Sequence, residues 1–178
     1  IKLLDVEAVL QSKNPALLKT LPSFVLKYLK KIVHQDELNA FLKQFGHLRN
    51  AELILAGLQF LEIRYSVKGE KYLPAVGRNI FVSNHPLGGL DGLIFIYELS
   101  KHYKDIKFPV NDILTNIENL NGIFIPVNKH GSQGKEAAKL IEESYASDSQ
   151  ILYFPAGLCS RKKRGVIKDL VWHKNFIT

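Results

Sequence analysis

From Glu62 onward, the sequence alternates short apolar runs with longer helical patterns, and this alternation limits the possible folds more than any other feature. The amphipathic helical patterns lie between the runs, over Leu93 to Tyr103 and from Ser132 to Tyr145. Alternation of this kind is typical of strand–helix–strand units. It predicts an α/β fold with a mixed, mainly parallel sheet flanked by helices. The apolar runs predicted to be strands are 80–83, 106–110, 122–127 and 151–154, with a half-buried strand over 63–68.

The first 61 residues have a different pattern, which predicts an N-terminal helical segment, 1–61, ahead of the α/β domain, 62–178. Ser23 to Val33 places apolar residues on one side of a helical wheel and lysines on the other. Pro22 suits the start of that helix. Asp36 is expected to cap a second helix that ends at Gly46. Residues 51–61 are apolar nearly all round, which predicts a buried third helix.

Hydropathy and targeting patterns indicate the compartment in which the protein is expected to act. No stretch reaches the roughly 18 uncharged apolar residues of a membrane span, and no secretory signal is visible, so we expect a cytoplasmic protein. We also expect the chain to continue beyond Thr178, because residues 177–178 carry no helix-stop or turn signal.

The net charge is +7 with a pI near 9.4, which favours acidic partners such as an anionic membrane surface. Five basic residues lie within one short segment: Arg161, Lys162, Lys163, Arg164 and Lys168. One alternative is therefore a non-catalytic module that holds a membrane or nucleic acid. Aromatic residues interleaved with basic ones would favour nucleic acid. That pattern is not found, so no nucleic-acid partner is expected.

Polar loops follow three of the apolar runs, where ligands of α/β sheets bind. In the first loop, Asn84–Gly92, His85 leaves a strand and Asp91 follows a Gly-Gly turn. A carboxylate that reaches one imidazole nitrogen fixes the tautomer while the other nitrogen takes a proton. Such a pair needs no serine if the substrate supplies the hydroxyl. The histidines show no metal-ligand spacing, so no metal is expected.

These residues also carry a family resemblance. Asn84-His85 followed by Asp91, then 122–125, then Phe154-Pro155-Ala156-Gly157 resemble the first three blocks of the glycerolphosphate and lysophospholipid acyltransferase family. The full loop 84–92 with 154–157 is similar to a bacterial branch labelled hemolysin, which includes the O-acyltransferases of ornithine- and glycine-lipid synthesis. The resemblance covers roughly residue 62 to the end, and the helical start also resembles the leading segment of that branch.

The resemblance implies transfer of a fatty acyl group from acyl carrier protein or coenzyme A to a lipid hydroxyl at the inner face of the cell membrane. His85 would deprotonate the acceptor hydroxyl, and Asp91 would orient His85. Amides near Gly157 would stabilise the oxyanion. No permanently bound cofactor is implied. Substrate-binding residues are expected at Asn84, Gly88, Gly89, Asn128, Lys129, Pro155, Gly157, Ser160, Arg161 and Lys162.

Three departures from the family pattern bear on the acceptor. Five residues rather than four separate His85 from Asp91. The arginine that ends the second block is replaced by Val127, and the glutamate of the third block by Ala156. The two losses argue against lysophosphatidic acid and favour an N-acyl amino acid, whose carboxylate Lys129 and Arg161 would meet. A 1-acylglycerol-3-phosphate acyltransferase remains the alternative.

Overall fold

The computed structural model describes residues 3–111, 114–127 and 134–174. Three single 3-10 turns lie at Glu70–Tyr72, Leu114–Asn116 and Glu118–Leu120. The α-helices are α1 (Val6–Lys13), α2 (Pro15–Thr20), α3 (Ser23–Ile32), α4 (Gln35–Phe45), α5 (Asn50–Phe60), α6 (Gly89–Ser100) and α7 (Gly134–Ala146). The strands are β1 (Ile80–Val82), β2 (Ile106–Asn111), β3 (Phe124–Val127), β4 (Gln150–Tyr153), β5 (Arg161–Lys163) and β6 (Val166–Lys168).

Four strands form one parallel sheet in the order β1-β4-β2-β3. Ile80 lies opposite Ile151, Ile106 opposite Gln150, and Phe108 opposite Phe124. The last of these four strands in sequence, β4, therefore lies between the first two. Because all four strands are parallel, their carboxyl ends meet at one edge. The predicted α/β fold with a mainly parallel sheet and an N-terminal helical region is confirmed.

The helices cover the sheet and share one hydrophobic core with it. Helix α6 packs on β2, α7 packs on β3, and α5 packs on α6. Burial between layers explains why β2, β3 and β4 are apolar along most of their length. The division at residue 61 stays a prediction. The core residues of the described chain include Phe41, Leu42, Leu53, Ile54, Leu58, Ile96, Leu99, Ile106, Phe108, Val110, Phe124 and Leu152.

The strand predicted over 63–68 is wrong. The segment is irregular, and only Ile63 within it is partly buried. Alternation of apolar and polar residues indicates exposure of one face, but a strand also needs a partner for its backbone hydrogen bonds. Here a side chain holds the segment instead, because the Tyr65 hydroxyl donates to the Glu98 carboxylate on α6. The pKa of Tyr65 is raised, mainly by burial and secondly by this hydrogen bond to Glu98.

The predicted helix boundaries need two corrections. Helix α4 begins at Gln35 after His34, which adopts a left-handed conformation (φ 51°), so Asp36 lies in the first turn rather than at the cap. Its carboxylate still favours the helix, because the N-terminus carries partial positive charge. Helix α6 begins at Gly89 rather than near Leu93, so Asp91 is also in a first turn. The helix end at Gly46 agrees with the prediction, and the expected cap at Ser132 lies outside the described residues.

The basic segment forms a hairpin that the sequence did not predict. Strands β5 and β6 pair antiparallel, with Arg161 opposite Lys168 and Lys163 opposite Val166. The two turn residues, Arg164 and Gly165, have φ of 49° and 82°. Positive φ at both turn positions is the type I′ conformation that matches the twist of a two-residue hairpin. Every residue of both strands is exposed.

Candidate active site

The sheet order brings two of the three predicted loops together. The loop after β1 and the loop after β4 lie side by side because these strands are neighbours. The Ser83 amide donates to the Tyr153 carbonyl at 3.2 Å and extends the pairing by one residue. Farther out, the Ser160 amide donates to the His85 carbonyl at 2.9 Å. The first and third sequence blocks therefore form one site at the carboxyl edge of the sheet.

His85 and Asp91 meet in this site, as predicted. Nδ1 of His85 lies 3.3 Å from Oδ2 of Asp91, and the two side chains are only 17% and 15% exposed. Nδ1 is buried, and its contact with the carboxylate lacks hydrogen-bond geometry. The same Oδ2 accepts a hydrogen bond from the Leu87 amide at 2.6 Å, which fixes the carboxylate. Catalytic hydrogen bonds commonly become well aligned only once substrate is bound.

The imidazole is held from a second side by an aromatic ring. The rings of His85 and Phe154 are stacked, with centroids 4.1 Å apart and planes at 20°. Phe154 in turn meets Phe108 edge-on at 5.3 Å and Phe95 at 6.1 Å. Helix α6 passes close to these rings at Gly92, where a Cβ would lie 3.0 Å from Phe108 Cε1. The stack leaves the imidazole little freedom to tilt.

This arrangement suits a general base. Asp91 faces Nδ1, so Nε2 is the nitrogen that can accept a proton from a substrate hydroxyl. The carboxylate would stabilise an imidazolium formed in this way, and the stacked Phe154 ring restrains the plane of the imidazole. Such a pair can serve a reaction in which the substrate itself is the nucleophile.

The family of the chain follows from comparison with known proteins. A family model described as "Acyltransferase" matches residues 8–178. This chain belongs to that acyltransferase family. The match confirms the resemblance seen in the three sequence blocks, and it also includes most of the helical start of the chain.

Two curated relatives have a more specific name than the family model. The chain is 47% identical over 179 residues to the lyso-glycine lipid O-acyltransferase of Phocaeicola vulgatus, an alignment that covers 100% of this chain and 64% of the relative. It is 47% identical over 176 residues to the protein of that name from Bacteroides thetaiotaomicron, covering 98% of this chain and 65% of the relative. The chain thus spans slightly less than two thirds of the length of these relatives. No solved structure matches it.

Glycine and proline residues expected to bind substrate shape the loops of the site. Gly88 has φ 74° and precedes α6, which begins at Gly89. Gly157 has φ 65°, and its amide donates to the Phe154 carbonyl at 2.9 Å. That amide is therefore engaged in the turn, and oxyanion stabilisation by other amides near Gly157 stays a prediction. Pro155 is buried, and its carbonyl accepts from the His173 amide at 3.0 Å.

The polar residues expected to bind substrate divide into three groups. Asn84 and Ser160 meet at a shared partner, Asp169. Arg161 and Lys162 lie on β5 with exposed side chains. The remaining two, Asn128 and Lys129, lie outside the described residues. They follow β3, which is separated from β1 by two strands. Substrate binding by each of these residues stays a prediction.

Two functional candidates are not evident from the sequence. Phe154 belongs to the third block, but its stacking on His85 depends on β4 lying beside β1. A signal existed, since an aromatic residue at a strand end directly precedes the loop of the third block. Asp169 lies 84 positions after His85, and no spacing in the sequence links the two.

Proposed function

We propose that this protein is an O-acyltransferase of membrane lipid synthesis, which transfers a fatty acyl group from an acyl-carrier or coenzyme A thioester to the hydroxyl of an N-acyl amino acid lipid. The observation that carries the proposal is the partly buried His85–Asp91 pair, 3.3 Å apart, in a chain of the acyltransferase family. The names of the two relatives support the same acceptor class.

The reaction balances with no catalytic group beyond this pair. Nε2 of His85 takes the proton of the acceptor hydroxyl as the hydroxyl oxygen attacks the thioester carbonyl carbon. The tetrahedral intermediate collapses as the C–S bond breaks. The departing thiolate takes the proton from the imidazolium, which restores neutral His85 and leaves a thiol and an ester. Asp91 stabilises the imidazolium between the two proton transfers.

The acceptor assignment is supported by the two replaced residues. A phosphomonoester calls for cationic partners, yet Val127 stands where the family has arginine. Ala156 occupies the glutamate position of the third block and is 8% exposed. Arg161, on the hairpin after this block, and Lys129, outside the described residues, are the cations expected to meet a single carboxylate.

A competition assay tests the acceptor. The purified protein is offered an N-(3-hydroxyacyl)glycine and lysophosphatidic acid together, with an acyl-carrier thioester in one series and acyl-coenzyme A in another. Mass spectrometry of the lipid products is expected to show the acylated glycine lipid in excess. A clear preference for lysophosphatidic acid would contradict the proposed N-acyl amino acid acceptor and would support a 1-acylglycerol-3-phosphate acyltransferase. Absence of any acyl transfer would favour a non-catalytic binding module.

We also propose that the protein binds the surface of an anionic membrane. None of the helices within the described residues is long and apolar enough to cross a bilayer. Helix α3 presents Phe24, Tyr28 and Ile32 at intervals of four residues, and they are 71%, 61% and 53% exposed. Lys27 and Lys31 are exposed on the same helix. Apolar and basic residues on one exposed helix suit the headgroup region of anionic lipids.

Vesicle sedimentation tests this membrane proposal. The protein is expected to bind vesicles with anionic lipid and to be released as salt rises, because salt screens the attraction. Lys27→Glu should weaken binding more than Lys104→Glu, which makes the same charge change in the loop before β2. Equal effects of the two variants would exclude α3 as the binding surface.

A further inference from the structure

Asp169 lies at the base of the β5–β6 hairpin, beside the loop that carries His85. It directly follows β6, and Ser160 directly precedes β5. The Ser160 hydroxyl donates a hydrogen bond to Oδ1 of Asp169, which closes the base of the hairpin. The Ser160 amide donates to the His85 carbonyl at 2.9 Å. One carboxylate oxygen of Asp169 is thus linked to the His85 backbone through a single residue.

The other carboxylate oxygen reaches the same loop by a second route. Nδ2 of Asn84 donates to Oδ2 of Asp169 at 3.3 Å. The Asn84 amide oxygen accepts from the Ser83 hydroxyl at 3.3 Å, which sets which end of the amide faces Asp169. Asn84 directly precedes His85 in the chain. Asp169 therefore holds the His85 backbone from both sides, by Ser160 and by Asn84.

The position of His85 makes this support relevant to rate. Its ring must keep Nδ1 toward Asp91 while it stacks on Phe154. These restraints act on the side chain, whereas Asn84 and Ser160 restrain the backbone. Small misplacements of a catalytic group carry large rate penalties. Hydrogen bonds to a charged acceptor are also stronger than neutral ones.

We propose that Asp169 is a positioning residue for the His85 general base and acts through Asn84 and Ser160. This inference rests on the proposed acyl transfer. The Asp169 carboxylate touches neither the substrate nor the reacting atoms in this account. It sets the loop so that Nε2 of His85 meets the acceptor hydroxyl.

The first test separates rate from binding. Asp169→Ala should lower kcat about tenfold, a typical consequence of losing hydrogen bonds to a charged group, while KM for the glycine-lipid acceptor changes less than about twofold. Circular dichroism and thermal unfolding establish that each variant is folded. A kcat equal to the wild-type value would overturn the proposal, as would a KM increase with kcat unchanged.

The second test uses suppression and does not depend on Asp169→Ala folding. Asn84→Asp alone places two carboxylates face to face and should lower kcat at least tenfold. Adding Asp169→Asn restores one donor and one acceptor with their roles exchanged, so the double variant should recover to within about threefold of wild type. The matched control is Asn84→Asp with Asp148→Asn, which has the same net charge but changes an exposed residue before β4. That control should not recover.

Failure of this inference is distinguishable from failure of the proposed function. If wild-type protein transfers acyl groups but Asn84→Asp is not suppressed by Asp169→Asn, then Asn84 acts independently of Asp169 and the inference is wrong. Equal recovery with Asp148→Asn would show an effect of net charge alone and would also overturn it. If wild-type protein transfers no acyl group to either acceptor, the proposed function itself fails.

Discussion

Replacing Gly92 with alanine tests how closely α6 packs against the aromatic support of His85. The added Cβ would lie 3.0 Å from Phe108 Cε1, 3.5 Å from Phe108 Cζ and 3.7 Å from Phe154 Cε2. Alanine in place of glycine inside a helix stabilises it by about 1 kcal/mol. Overpacking a buried site costs about 1–3 kcal/mol. The net expectation is destabilisation of about 1 kcal/mol, with lower kcat because the Phe108 ring must shift and it packs edge-on against Phe154.

Gly57 in α5 provides the matched control. A Cβ there meets Phe41 Cζ at 3.6 Å, an ordinary contact. Gly57→Ala should therefore retain the helix gain and stabilise the protein by up to about 1 kcal/mol. The two variants should differ by about 2 kcal/mol in the free energy of unfolding, measured by denaturant titration with linear extrapolation. Equal stabilisation by both substitutions would refute the close packing inferred at Gly92.

Two further predictions concern the support of the sheet and of the base. Ser149, buried before β4, donates to the Asp105 carboxylate before β2, and this hydrogen bond, followed by one from Lys107, lowers the pKa of Asp105 despite an opposing effect of burial. Because the pKa of Asp105 is lower in the folded state, this carboxylate stabilises the fold at pH values above its ordinary pKa of 3.8, and the stabilisation is lost as pH falls through the folded-state pKa. Ser149→Ala should therefore cost about 1 kcal/mol of stability near pH 7. Thermal unfolding measured over a range of pH should show the difference between variant and wild type shrinking below about pH 4. Phe154→Leu should lower kcat about tenfold with little change in acceptor KM, because an aromatic contact of about 1 kcal/mol no longer holds the His85 ring; steady-state kinetics check this, and unchanged kcat would contradict the supporting role.

The features that could be predicted from the sequence are those that depend on residues close together along the chain. Apolar runs predict the four strands of the sheet. The Gly-Gly turn between His85 and Asp91 predicts that the two side chains come together. The false strand over 63–68 has the right alternation but finds no pairing partner in the described chain. The β5–β6 hairpin escaped prediction because its strands are mostly basic, and its turn places Arg164 at positive φ, an uncommon residue there.

The remaining features depend on contacts between distant segments. Phe154 reaches His85 only because β4 crosses back to lie beside β1. Asp169 contacts Asn84 only because the β5–β6 hairpin lies beside the loop that carries Asn84 and His85. A period or a spacing in one sequence reports local geometry, so it cannot reveal which distant strand or loop becomes a neighbour.

The most direct test of the central claim is the rate of acyl transfer by His85→Ala. Removing a general base should lower kcat about 10²–10⁴-fold, and Asp91→Asn should lower it less, because that change weakens orientation and charge but keeps the base. Both proteins should remain folded by circular dichroism. The measurement is single-turnover transfer from a labelled acyl thioester to the hydroxyacyl-glycine acceptor. A folded His85→Ala protein that retains a rate near that of wild type would contradict the assignment of His85 as the base.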